Sequence, residues 1–223
     1  MADIFTYENL IFMARGALFS VLLALGAVTI GCVLGILFSI FKLSKSKILN
    51  WIGNIYVEIF RGTPMLLQIL FFYLGVPVIY QRITGTRMNA NPYIVGLIAL
   101  SFNSGAYQTE LIRSGIQGVD KGQWEACETL GISYKTMMKE IILPQAFKQI
   151  VPPMVSEFIM LIKDSSLISN IGALELLYAA QVLGKKYYDY LDPLIIAAVM
   201  YLTLTILVSW LSKKVERRLA VSD

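Results

Sequence analysis

The chain contains no histidine, which removes both the commonest acid–base side chain and the commonest metal ligand. Its two cysteines, Cys32 in an apolar run and Cys127 in a charged one, give no disulfide framework and read as reduced, structural thiols. No GxxxxGK[ST] loop occurs, so the chain has no phosphate cradle and is not expected to bind or hydrolyse ATP. Charge is also scarce. Asp, Glu, Lys and Arg make up 15% of the 223 residues against 57% hydrophobic, and the mean hydropathy is +0.65. That balance excludes an ordinary soluble domain and describes an integral membrane protein. No domain boundary, low-complexity tract or repeat stands out, so residues 1–223 read as one transmembrane domain.

Long uncharged runs fill most of the chain. Residues 16–41 are long enough to cross a bilayer, which takes roughly 20 apolar residues. Residues 64–80 form a second run, and residues 92–108 a third that extends toward Ile112 if Glu110 faces protein. A fourth opens at 149–162, is interrupted by Glu157, Lys163 and Asp164, and resumes as apolar sequence through Val182. Residues 193–212 are the cleanest. The expectation is an all-α integral membrane protein with five crossings.

Short cytoplasmic loops carry the excess of Lys and Arg. Lys42, Lys45 and Lys47 follow the first run, Lys121, Lys135, Lys139 and Lys148 surround residues 125–144, and Lys213, Lys214, Arg217 and Arg218 follow the last. Arg82, Arg87, Lys185 and Lys186 fall on the other side. This asymmetry places the amino terminus outside and the carboxyl terminus in the cytoplasm. The opening MADIFTYENL lacks a basic n-region, so no cleaved signal peptide is expected. The net charge of +4 then reflects topology and calls for no nucleic acid.

Residues 125–144, EACETLGISYKTMMKEIILP, are a wet interruption between membrane-grade segments. Trp124, Cys127 and Leu130 recur at helical spacing, with Glu125 and Glu128 on another face; Gly131 supplies the positive φ that ends a helix. Ser133 is placed to cap a second helix, where Tyr134, Met137, Met138, Ile141 and Ile142 make an apolar stripe opposite Lys135, Lys139 and Glu140. Pro144 suits a fresh helix start better than a continuation. Such an element is placed to meet a soluble partner, unless Glu125 merely solubilises the loop.

Polar groups inside the apolar runs are the other signal, because charge at membrane depth is costly and tends to face a cavity or a partner. Asn103, Tyr107 and Glu110 share a helical strip with Ser104 and Gln108 beside it, and Glu157 and Asp164 share a face with Lys163, Ser165 and Ser166 adjacent. Either some of them line a solute path, or they pair, Lys163 with Glu157 for example, and hold helices together. Hydroxyls, amides and a lysine suit a carboxylate, while Glu157 or Asp164 suits an amino group or cationic side chain. Arg61, beside the Gly62-Thr63-Pro64 break, reads first as an interfacial anchor and second as a partner for a core acid; Thr63 and Gln68 stay within reach of the solute path. Gly31 and Gly35 form a GxxxG pair that serves either packing within the subunit or a dimer seam.

Glu125, Ala126, Gly131, Ile141, Leu143 and Pro144 match in type and spacing the EAA loop of bacterial ABC importer permeases, with Cys127 where alanine is usual. VEIFRGTPMLLQILFFYLGVP, SFNSGAYQTELIRSGIQGVDKGQWEACETLGIS and FIMLIKDSSLISNIG resemble the polar amino acid uptake branch of that family. The resemblance implies a type I ABC importer permease core in the bacterial inner membrane, with a coupling loop at about residues 115–147. It implies a solute site at Asn103, Ser104, Lys163, Asp164 and Ser165, to which the buried position of Glu157 adds a further acid. The implied partners are a dimer of ATP-binding cassette subunits carrying ATP and Mg2+, a second identical or homologous permease, and an extracytoplasmic amino-acid-binding protein. This chain itself would hold no cofactor. An ion-coupled secondary transporter would use the same acids but often shows an inverted repeat, which is not found. A membrane enzyme would need Lys163 beside Ser165, residues that point in different directions on a helix.

Overall fold

The computed structural model describes residues 5–220, and no β-strand occurs among them. The residues of MADIFTYENL before Phe5, and the side chains of Arg217 and Arg218 counted above toward the charge asymmetry, lie outside what is described.

The first helix, α1 (Tyr7–Leu43), is longer than its apolar run because Thr6 caps it, accepting from the Asn9 amide, and Glu8 sits favourably in the first turn. Next come α2 (Lys47–Gly62), α3 (Met65–Leu70) and α4 (Val76–Thr84). The Thr63-Pro64 step separates α2 from α3, while a π-turn over Phe71–Gly75 joins α3 to α4 in one helical run. Asn91 caps α5 (Pro92–Gln117), and Asp120 caps α6 (Lys121–Thr129).

Gly131 takes φ +68° after α6, as its position in the sequence predicts, and Ser133 caps α7 (Tyr134–Thr136). From there the chain departs from expectation. Instead of restarting at Pro144, the helix continues through a π segment (Met137–Ile142) into α8 (Leu143–Asp164). The Leu143 amide bonds to the Met138 carbonyl, so the wider turn falls next to a proline that has no N–H to give. A 3-10 turn (Ser165–Ile171) leads to α9 (Leu176–Tyr187) and then to α10 (Leu191–Ala220).

Among the described residues, three helical runs are long and apolar enough to span a membrane: Tyr7–Leu43, Met65–Thr84 and Leu191–Lys214. A fourth is formed if Tyr134–Ile171 and Leu176–Tyr187, bent by 47°, count as one broken span. By the same test α5 falls short, although it has 26 residues. Its polar row dilutes its hydropathy, and it does not need to face lipid because α1 and α8 cover it.

The centre of the bundle is the α1–α5 contact. A Cβ on Gly31 would lie 2.9 Å from Gln108 Nε2, and one on Gly35 would lie 2.7 Å from Gln108 Cβ. The GxxxG pair therefore packs inside the subunit. Ala24, Ala27, Leu100, Leu161 and Ile162 close the core around it.

Candidate functional site

Two features of the sequence build the polar centre: the break after α2 and the polar row on α5. The last carbonyls of a helix lack intrahelical donors, and here two side-chain amides supply them. Gln68 Nε2 donates to the Phe60 carbonyl at 2.8 Å and to Thr63 Oγ1 at 2.9 Å. Asn103 Nδ2 donates to the same Phe60 carbonyl at 2.8 Å and to Gln68 Oε1 at 3.2 Å. The conformation of the Arg61-Gly62-Thr63-Pro64 break is thus held from α3 by Gln68 and from α5 by Asn103. Arg61, exposed beside the break, has its Cζ 5.0 Å from the centroid of the Tyr107 ring, and its charge acts on Glu157.

One helical step along α5, Ser104 is fully buried, accepts from Gln108 Nε2 at 3.0 Å and lies beside the Glu157 carboxylate. Gln108 Nε2 also donates to the Val28 carbonyl at 3.1 Å, tying the row to α1. Glu157 is 8% exposed and lies within electrostatic range of Asp164. α2, α5 and α8 therefore bring Asn103, Ser104, Glu157 and Asp164 together, with Gln68, Arg61 and Tyr107 beside them. An aromatic face, one cation and two acids thus lie near one another beside the break, with the amides of Gln68 and Asn103 spent on the Phe60 carbonyl.

Lys163 meets this cluster through its charge on Asp164, and Ser165 stands apart from it. Lys163 is exposed and forms no ion pair with Glu157, so the pairing considered from the sequence is not made. Ser165 is fully buried and its hydroxyl turns back onto the Ile162 carbonyl at 2.7 Å. Glu110 leaves the polar row as well, pairing with Lys42 and with Arg113, the latter at 2.7 Å.

Sequence reasoning passed over Glu175 by treating the tract through Val182 as apolar. This residue is fully buried and caps α9, accepting from the Tyr178 amide at 2.6 Å and the Leu177 amide at 2.8 Å. The Tyr201 hydroxyl donates to it at 2.7 Å, and Ser20 hydrogen-bonds it as well. Gly16 on α1 packs so closely that a Cβ there would sit 2.8 Å from the Glu175 carbonyl oxygen. The missed signal was a lone carboxylate in the run ALELLYAA.

Toward the start of α8, α6 lies against the bundle through Cys127, 3% exposed and packed with Met137, Ile142, Ala146 and Ile150. A small, weakly hydrophobic thiol fits that seat. Glu125, Ala126, Gly131, Leu143 and Pro144 are exposed, and Ile141 is half-buried. Leu130, grouped with Cys127 by spacing, is instead 76% exposed, because the helix has ended by that point and Leu130 serves as its C-cap. Tyr134 of the expected apolar stripe is likewise exposed.

Known proteins match this arrangement over nearly the whole chain. Residues 27–221 match the family described as the binding-protein-dependent transport system inner membrane component. A putative glutamine transport system permease protein of Rickettsia prowazekii (strain Madrid E) is 40% identical over 97% of this chain and 96% of its own. The arginine transport system permease protein of Bacillus subtilis (strain 168) is 38% identical, over 98% and 97% respectively. In three dimensions the chain superposes on the crystal structure of an amino acid ABC transporter with histidines, with a TM-score of 0.88, 36% identity and 95% of each chain covered. On this evidence the chain belongs to the family of binding-protein-dependent transport system inner membrane components, and it is a multi-pass permease subunit of an ABC importer.

Proposed function

We propose that the solute is a polar amino acid, bound in this chain between α2, α5 and α8 by Asn103, Ser104, Glu157 and Asp164. Lys163 and Ser165 complete the candidate set from the flank of α8, Lys163 by reaching toward the path from the exposed side. The observation that carries this reading is the buried Glu157, beside Ser104 and within range of Arg61. Relatives named for glutamine, arginine and cystine transport support an amino acid in general rather than one in particular.

The chain crosses the membrane five times in this reading, α5 counting as one crossing, with the amino terminus outside and the carboxyl terminus in the cytoplasm. Residues 115–147 form the cytoplasmic coupling loop of a single domain spanning residues 1–223. Glu125, Ala126, Gly131, Ile141, Leu143 and Pro144 dock a separate ATP-binding cassette subunit, which carries ATP and Mg2+. Closure of its dimer turns two permeases, identical or homologous, from inward to outward facing, and an external binding protein delivers the amino acid. Cys127 transmits the force because it seats α6 on the start of α8.

Uptake by reconstituted complex, supplied with binding protein and ATP, tests both halves. Glu157→Gln is expected to lower uptake about a hundredfold in assembled transporter, and Glu125→Lys to uncouple it from ATP hydrolysis. Full uptake by either variant would refute the corresponding assignment.

A further inference from the structure

An apolar groove of about 730 Å3 opens between α1, the end of α5 and the start of α8. Cys32, Ile40, Ser44, Tyr134, Phe147 and Met154 outline it. Ile40, Tyr134 and Phe147 are 59%, 70% and 58% exposed, so the groove is open along its side. It has two unlike ends. One is the foot at Cys32 and Met154, within the spanning part of α1 and α8. The other is the mouth at Ser44 and Tyr134, where α1 ends and the coupling segment begins, with hydroxyls and the basic residues that follow.

Lys45 follows Ser44, Lys47 lies two residues further on, and Lys135 follows Tyr134; all three are exposed. Lys139 is different, since its charge is answered by Glu140 at 3.1 Å. From Cys32 to Ser44 the groove runs about 18 Å along α1, at 1.5 Å per residue. That is close to one leaflet, half of a hydrocarbon core about 30 Å thick.

We propose that this groove is a binding site for one anionic phospholipid of the cytoplasmic leaflet, its acyl chain lying along α1 and α8 and its phosphate meeting Lys45, Lys47 and Lys135. The proposal rests on the topology proposed above, which puts the mouth on the cytoplasmic side. Two features favour a lipid over a protein. A transmembrane helix of a second permease would bury a longer seam than this groove offers, since it follows α1 only from Cys32 to Ser44. A soluble ATPase does not reach membrane depth at Cys32 and Met154. Charge complementarity selects the headgroup, because juxtamembrane lysines favour anionic over zwitterionic lipid. One wall of the groove includes Met138 and Leu143, at the π segment and the first residue of α8. A seated lipid therefore braces the coupling segment against α1.

The test is lipid retention by the full complex in nanodiscs of phosphatidylcholine with phosphatidylglycerol added, read by native mass spectrometry. Wild-type complex is expected to retain phosphatidylglycerol about tenfold over phosphatidylcholine at this site. Lys45→Gln with Lys135→Gln is expected to cut that preference to about twofold or less. The control Lys213→Gln with Lys214→Gln keeps it. Cys32→Trp, which fills the foot, loses retained lipid of both kinds. Equal retention of both lipids by wild type would overturn the proposal, as would a cross-link placing a partner helix or the ATPase against Cys32. Retention is read without transport, so a wrong solute assignment leaves it untouched. Impermeant labelling of Lys135 in right-side-out vesicles tests the sidedness separately.

Discussion

Glu157 and Glu175 are both carboxylates buried in the bundle, yet their surroundings differ. Around Glu175, two backbone amides, the Tyr201 hydroxyl and the Ser20 hydroxyl converge, so the residue ties α1, α9 and α10 into one unit. Glu157 has the Ser104 hydroxyl, a like charge in Asp164 and a more distant cation in Arg61. A fully bonded buried group rigidifies a fold, and an under-bonded one costs free energy that a ligand can recover. The difference marks Glu175 as architectural and supports the proposal that Glu157 meets the solute.

Breaking the architectural acid gives the largest effect. Glu175→Ala leaves two amides and two hydroxyls without their acceptor, and is expected to cost roughly 3–5 kcal/mol of stability, seen as a lowered melting temperature of the purified complex. Glu157→Gln keeps the shape of the side chain and a polar group beside Ser104. Its melting temperature is expected to stay near wild type while uptake falls about a hundredfold, consistent with an intramembrane charge kept for function. Gly35→Leu drives a side chain into Gln108 at the α1–α5 contact and is expected to cost about 1–3 kcal/mol, displacing the polar row and lowering both stability and uptake. Tyr201→Phe removes one hydrogen bond of several at Glu175, so a loss of about 1 kcal/mol with uptake retained would sharpen the comparison.

The sequence made the helical segments legible wherever local chemistry decides them. Gly131 and Ser133 sit at a turn and a cap because positive φ and a capping hydroxyl are local demands. Pro144 was misread because a π-turn over the preceding residues accommodated it, an adjustment that no spacing rule reveals. Asn103, Ser104, Glu157 and Asp164 were legible as polar residues in apolar runs, and their convergence fits that reading. Arg61 and Gln68 were harder to read: their roles depend on how the α2 break packs against α5, a contact between distant parts of the chain. Glu175 was hidden for the opposite reason, since a single carboxylate among alanines and leucines looks incidental until its four donors are brought together by three helices.

The most direct test of the central claim is the rate of ATP-driven amino acid uptake by Glu157→Gln transporter in proteoliposomes, normalised to assembled complex of unchanged melting temperature. The account predicts a loss of about two orders of magnitude. Uptake at the wild-type rate would contradict it and would place Glu157 with Glu175 among the residues that only hold the helices together.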